Sequence, residues 1–424
     1  MHVVQPYVSS VPLPQAADVI VVGAGLAGLG AASELARAGR SVIIVEASDG
    51  VGGRVRSDEV DGFTLDRGFQ ILLTAYPEAI RQLDYAALDL KAFDAGALVW
   101  LDGRGHYIGD PLRDPSSLLS TAVSPIGSIA DKARILQLRQ RVLSAEPREL
   151  LSAKESATSN HLRNLGFSTK MVERFFRPLF AGIQLDPDLA TSSRMFDIIF
   201  RSLSEGDSVV PAAGMGAITE QLASRLPDAT VFLDTPVTAV TAGAIPTVTT
   251  ARGSLTASDV IVAVDGPAAC NLLGLDPVGS QAAGCVWFGA PTSPFDRAAI
   301  TLDGTGVGPA LNVAVLSDVA PSYAPDGQAL IAAACPNDIG PDLEERVRQQ
   351  LAGWFGPTVV AAWTTLRVDR IAHGQPQQQP PFSPKQSVRH AENIWVCGDH
   401  RDTGSIQGAL YSGRRTAEAV LADR

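Results

Sequence analysis

The chain's first apolar pattern is a β-branched run at 19–22. A stripe of Ala and Leu at helical spacing follows over 26–38, and a second β-branched run lies at 41–45. That succession, with tight connections, predicts strand, helix, strand, the two strands parallel. Farther on, residues 230–240 alternate apolar and polar positions like one strand. Residues 247–264 add a hairpin turning at Arg252–Gly253 and then a wholly apolar strand, and residues 393–424 give strand, loop and helix to the chain end. Elsewhere the pattern is less regular. Proline-rich stretches at 111–125 and 376–384 predict loops, and no repeat recurs at a fixed period.

These pieces predict an α/β protein with a discontinuous, doubly wound Rossmann-like domain over 18–70, 211–268 and 388–424. An α+β substrate-binding cap domain would come from 71–210 and 269–387. Residues 1–17, with Pro6, Pro12 and Pro14, form an expected tail without the basic start and apolar centre of a signal peptide.

At 424 residues and 46% hydrophobic, the chain can bury at least one large core. A net charge of −11 argues against nucleic acid, which selects clustered Lys and Arg. The longest apolar run, 19–32, is short of the ~20 residues a spanning helix needs, so a cytoplasmic protein is expected. One route to a membrane stays open. Residues 126–143 mix Ile and Leu with Lys132, Arg134, Arg139 and Arg141, as either an interfacial helix or a helix packed on its own domain would. Cys270, Cys285, Cys335 and Cys397 are scattered without a C-x-x-C pair, which suggests reduced thiols and no zinc site.

Gly23, Gly25 and Gly28 fit G-x-G-x-x-G between the first strand and the helix. The first glycine makes the tight turn, the second removes a side chain where a pyrophosphate must approach, and the third lets helix and strand pack closely. Leu26 and Ala27 then open the helix, whose free N–H groups favour phosphate. Glu46, followed by Ala47, ends the second strand where a carboxylate can accept ribose hydroxyls, and its charge would repel a 2′-phosphate.

Gly52-Gly53-Arg54 comes just after this position. Here the sequence resembles the superfamily of FAD-dependent amine oxidases, protoporphyrinogen oxidases and phytoene desaturases. The resemblance implies non-covalent FAD, with glycine backbone near the cofactor and Arg54 neutralising the pyrophosphate. It further implies that the backbone of Gly68, Phe69 and Gln70 lies beside the flavin and that the main chain of Val237 meets the adenine. Gly398 and Asp399, then Ser405, Ile406, Gln407, Gly408 and Ala409 at the start of the last helix, resemble the closing flavin motif. A helix N-terminus there would stabilise negative charge on a reduced flavin, with Gly404, Gly408 and Gly413 allowing close approach. Asp399 is expected on a ribityl hydroxyl or a backbone amide.

Family amine oxidases place an aromatic after the glycine that is Gly404 here, and this chain has Ser405. Residues 65–84, 176–200 and 209–223 are similar to stretches of the desaturase and porphyrinogen oxidase branch. The expectation is therefore hydride removal from a small apolar, isoprenoid or polyene-like substrate, with oxygen, a quinone or another carrier taking the electrons. Phe175, Phe176, Leu179, Phe180, Met195, Phe196 and Phe200 would line an apolar tunnel or, as such sets more often do, form core. His400 is the one weak acid–base candidate, and none of the five lysines is assigned as a base. Two alternatives stay open: a flavin amine oxidase releasing hydrogen peroxide, and a flavin-binding accessory protein without turnover.

Overall fold

β1 (Ala16–Val22), α1 (Leu26–Arg37) and β2 (Val42–Val45) form the predicted strand–helix–strand unit, the strands pairing in parallel from Val19 opposite Val42 to Val22 opposite Val45. The computed structural model describes residues 12–423 except 229 and 296. Residues 1–11 of the expected tail lie outside the described residues, and β1 begins at Ala16, not Asp18.

β1 is central in an eight-stranded sheet. On one side lie β2 and then Val231–Phe232. On the other, Gly253–Val262 pairs in parallel with β1, and its two halves meet Thr247–Thr250 and Ile394–Val396 respectively. Strands covered on both faces explain the unbroken apolar runs at 19–22 and 260–262. The hairpin at Arg252–Gly253 forms as predicted, with Gly253 at φ +129°. The strand predicted at 230–240 is instead two strands at opposite edges, Val231–Phe232 and Val237–Thr241. Asp234 in the left-handed region (φ +49°) and Pro236 without an N–H end the first ladder and turn the chain across the sheet.

A second, mixed sheet has seven strands in the order Thr364–Pro376, Ser280–Ala290, Ala329–Pro336, Asn312–Val315, Ile300–Asp303, Gly96–Leu101, Arg104–Gly109. A buried carboxylate ties the hairpin Ser57–Asp66 to two distant segments. Asp66 accepts hydrogen bonds from Ser57 Oγ at 2.5 Å, Met215 N at 2.8 Å and Tyr323 Oη at 3.0 Å, joining segments hundreds of residues apart in sequence.

Of the two readings for the phenylalanine set, tunnel lining or core, the structure shows the core. Phe176, Phe180, Met195, Phe196 and Phe200 are buried, and their rings interlock, with Phe180 and Phe196 centroids 4.4 Å apart and Phe167 and Phe176 4.7 Å apart. Phe175 and Leu179 pack half-buried on its margin. The loop predicted at 111–125 contains a helix, Leu118–Val123, because Asp114 caps the turn at Pro115–Ser117 that leads into it. Helix Ile129–Ser144 starts with a capping box between Ser128 and Asp131 and buries Leu138 and Val142 in the phenylalanine core.

Phe180→Ala removes the ring that touches both Phe176 and Phe196. Expected is a loss of about 3–5 kcal/mol of stability in urea unfolding, with little change if the rings lined an open tunnel.

Candidate functional site

Two glycine-rich loops face each other at the C-terminal end of β1. Gly23 is at φ +104°, and a Cβ there would lie 2.9 Å from the Ala263 carbonyl oxygen. At Gly28 a Cβ would lie 2.0 Å from the Gly23 carbonyl oxygen, so any side chain would force turn and helix apart. Gly25 differs: a Cβ there would have no neighbour within 4 Å. Gly25 bridges to Gly52, Gly52 N donates to Ala24 O at 2.9 Å, and Gly53 (φ +58°) has only the Gly25 Cα within Cβ reach. The result is a slot walled by backbone. No side chain caps α1, so its N–H groups are available to an anion. A side-chain-free slot at an uncapped helix start is what a dinucleotide pyrophosphate requires, and the observed geometry fits that group.

Glu46 stands at the end of β2. Its Oε2 accepts from Ala24 N at 2.7 Å and its Oε1 from Ser48 N at 2.9 Å and Ser48 Oγ at 2.7 Å, so the carboxylate braces the turn. Lone pairs remain for ribose hydroxyls. Residues 232–235 dock on this loop: Glu46 N donates to Phe232 O at 2.9 Å and Thr235 N to Glu46 O at 2.7 Å. Val237 starts its strand just beyond, while Ala47 is exposed.

Arg54 joins the two ends of the chain. Nη2 pairs with Asp399 Oδ1 at 2.8 Å and Nη1 donates to Gly374 O at 2.8 Å. Asp399, expected on a ribityl hydroxyl or amide, thus meets the arginine as well as the His400 amide at 3.0 Å. Burial alone would raise the Asp399 carboxyl, and the Arg54 charge outweighs it, holding the group below the ordinary range. Gln70 Nε2 donates to Arg54 O at 2.7 Å and to Arg67 O at 2.8 Å, which brings the Gly68–Phe69–Gln70 segment to the same loop. Phe69 stacks edge-on against Phe93.

The last helix, Ile406–Ala422, is capped by Ser405, whose Oγ accepts from Gly408 N at 3.0 Å. Its glycines make close protein contacts. A Cβ at Gly413 would lie 2.2 Å from Ala27 O, one at Gly408 1.9 Å from Thr403 O, and one at Gly404 2.7 Å from Gln378 Nε2. Gln407 Oε1 accepts from Glu78 N at 2.8 Å, and Ala409 N donates to Ser405 O at 2.9 Å.

His400 is buried, with no partner for either ring nitrogen among the described residues, and burial pushes its pKa down to about 4. It is neutral at pH 7, folded against Gly398 beside a pocket of about 140 Å³ that Gln378, Gln386 and Asp402 also line. The strand Thr364–Pro376 and its exit add residues that the sequence pattern did not mark. Gly374 receives Arg54, Asp369 Oδ2 accepts from Gly68 N at 3.0 Å, and Gln378 Oε1 accepts from Gly404 N at 2.8 Å. Only the proline-rich boundary at 376 hinted at them.

Two expectations follow. Gly25→Ala should leave the unfolding midpoint of the flavin-free protein unchanged and weaken FAD binding about tenfold or more, whereas Gly28→Ala should destabilise both forms by about 1–3 kcal/mol or more; thermal melts and flavin titration separate them. Burial raises the Asp402 carboxyl to about 6, with Arg415 only partly offsetting it. The folded protein therefore keeps a proton that the unfolded chain has released, and the Asp402 contribution to stability falls as pH rises from about 4 to about 6, while buried His400, held neutral in the fold, contributes a rise over the same window. Asp402→Asn should flatten that fall in urea unfolding at stepped pH, leaving the share due to Asp66, which burial also raises to about 6.

The family model for flavin-containing amine oxidoreductases matches residues 26–421. Putrescine oxidase of Kocuria rosea is 31% identical over 276 residues, 58% of this chain and 56% of that enzyme, so the match spans little more than half the relative's length. Phytoene dehydrogenase of Streptomyces griseus is 24% identical over 490 aligned positions, 96% of this chain and 95% of that protein. A solved structure of putrescine oxidase with putrescine bound superposes with a TM-score of 0.69 at 19% identity, covering 96% of this chain and 99% of that one. The chain belongs to the flavin-containing amine oxidoreductase family, and its cofactor is FAD.

Proposed function

We propose that the protein is an FAD-dependent oxidoreductase that removes two hydrogens, as hydride and proton, from a small apolar molecule of isoprenoid or polyene type, leaving a carbon–carbon double bond. Oxygen, a quinone or another carrier takes the electrons onward. FAD, when bound, supplies the hydride acceptor. Gly23, Gly25, Gly52, Gly53 and the start of α1 would hold its pyrophosphate, Glu46 its ribose, and Gly68 to Gln70 with Ser405 to Gln407 its ring system.

The observation that carries this reading is Ser405. Where family amine oxidases present an aromatic wall, this chain has a small side chain committed to capping the last helix at 3.0 Å from Gly408 N. The end-to-end relatedness to phytoene dehydrogenase points the same way. The 31% identity to putrescine oxidase favours amine oxidation as the second reading.

Anaerobic mixing distinguishes the two. An isoprenoid polyene in detergent micelles should bleach the oxidised-flavin absorbance and yield a product with a longer conjugated system, while putrescine and benzylamine leave the spectrum unchanged. Bleaching by an amine, with peroxide released when air is admitted, makes the protein an amine oxidase. A yellow protein that no substrate class reduces is an accessory flavoprotein.

A further inference from the structure

Eleven large apolar side chains are exposed among the described residues, and six of them, Leu112, Leu118, Leu119, Val123, Ile129 and Leu136, fall within 112–136. Single exposed apolar side chains are ordinary, but a contiguous group is not. This group sits on ordered structure. Helix Leu118–Val123 is turned inside out: Ser117, Thr121 and Ser124 are buried, while Leu118, Leu119 and Val123 are 61%, 74% and 73% exposed. The inward polar residues have partners, with Gly109 N donating to Thr121 Oγ1 at 3.0 Å and Ser117 Oγ to Asp114 O at 2.7 Å. The orientation is therefore fixed by hydrogen bonds that do not involve the leucines.

The rim of this surface is basic. Lys132 Nζ donates to Ala122 O at 2.9 Å and Ser124 O at 2.8 Å, placing its charge at the end of that helix. Arg174 Nη1 reaches Pro125 O at 3.3 Å, and exposed Lys170 lies two residues from Ser168, which bonds to Asp131. Asp131, the acid in this turn, is fully buried and held by Ser128 and Ser168. Residues 111–177 contain eleven Lys or Arg against six Asp or Glu, in a chain whose net charge is −11. Three of those cations pair with carboxylates outside the segment, Arg113 with Asp207, Arg139 with Asp110 and Arg141 with Asp197, so the positive charge left facing out beside the leucines is that of Lys132, Lys170 and Arg174.

We propose that this face docks on an anionic lipid bilayer, with Leu118, Leu119, Val123 and Ile129 entering the boundary between headgroups and acyl chains and Lys132, Lys170 and Arg174 meeting lipid phosphates. A second copy of the chain fits less well, because a two-fold contact through this face sets the same basic rim against itself. Helix Ile129–Ser144 takes part only through its first turn, with Ile129 and Lys132, since its Leu138 and Val142 serve the core. Among the described residues no helix is long and apolar enough to cross a membrane, so the contact is peripheral. It stands apart from the choice of substrate.

Flotation of the FAD-loaded full chain tests this, using vesicles of phosphatidylcholine alone and of phosphatidylcholine with phosphatidylglycerol. The protein should float with the anionic vesicles and stay down with the neutral ones. Leu118→Ser, Leu119→Ser and Val123→Ser combined should cut flotation about tenfold or more, with flavin content and melting temperature unchanged. Lys170→Gln with Arg174→Gln should lower it and reduce its salt dependence. The proposal is overturned if wild type never floats, floats equally with neutral vesicles, or floats undiminished after the serine changes. It is equally overturned if light scattering shows a dimer that the serine changes dissolve, which would make a second copy the occupant.

Discussion

Backbone packed directly on backbone is the constraint from which the rest of the molecule follows. Added methyl groups would lie 2.0 Å from Gly23 O at Gly28, 2.9 Å from Ala263 O at Gly23 and 2.2 Å from Ala27 O at Gly413. These contacts bring together the opening turn, the chain leaving the strand Gly253–Val262 and the last helix. Segments from the start, middle and end of the sequence converge there, with backbone the nearest neighbour in each case. The same economy creates the slot at Gly25, because a site reached only by backbone can admit a diphosphate at hydrogen-bond distance.

Charge is arranged around that slot so that it is balanced before any ligand arrives. Arg54 is paired with Asp399, and Glu46 is braced by Ala24 and Ser48. The pair is costly to bury and only worth keeping with its hydrogen bonds complete, and Gly374 O and the His400 amide complete them. An arginine neutralised in this way positions the loop of 52–54 against the closing motif. The field that favours phosphate is then left mainly to the uncapped start of α1.

The parts of this design that the sequence disclosed are those where one residue type has one physical use. G-x-G-x-x-G followed by an acid at the second strand's end, and Gly-Asp before a capped helix, serve few purposes besides holding a dinucleotide, and the structure brings those residues to one place. Patterns with two uses did not decide between them. Residues 230–240 have the alternation of one strand but divide at Asp234 and Pro236. The phenylalanines of 175–200 have the spacing of either a lining or a core, and their rings fill each other's space. Asp369, Gly374 and Gln378 went unmarked because a carboxylate, a glycine and an amide on an ordinary strand and its exit acquire meaning only when Arg54 and Gly404 are placed beside them.

The helix Leu118–Val123 shows why apolar pattern alone cannot assign an inside. A leucine pair gains from burial, yet a buried hydroxyl must also find a partner. Here Ser117, Thr121 and Ser124 have partners waiting, in Asp114 O, the Gly109 backbone and the Ile126 amide. The polar face therefore turns in, and the leucines are left to water unless something apolar covers them. Helix Ile129–Ser144, with the more strongly charged sequence, takes the opposite course because the phenylalanine core offers Leu138 and Val142 a place. Two adjacent helices thus settle in opposite orientations, each decided by which side its neighbours can satisfy. An exposed apolar face reached in this way is stable in the folded protein without its partner, as a reversible surface contact requires.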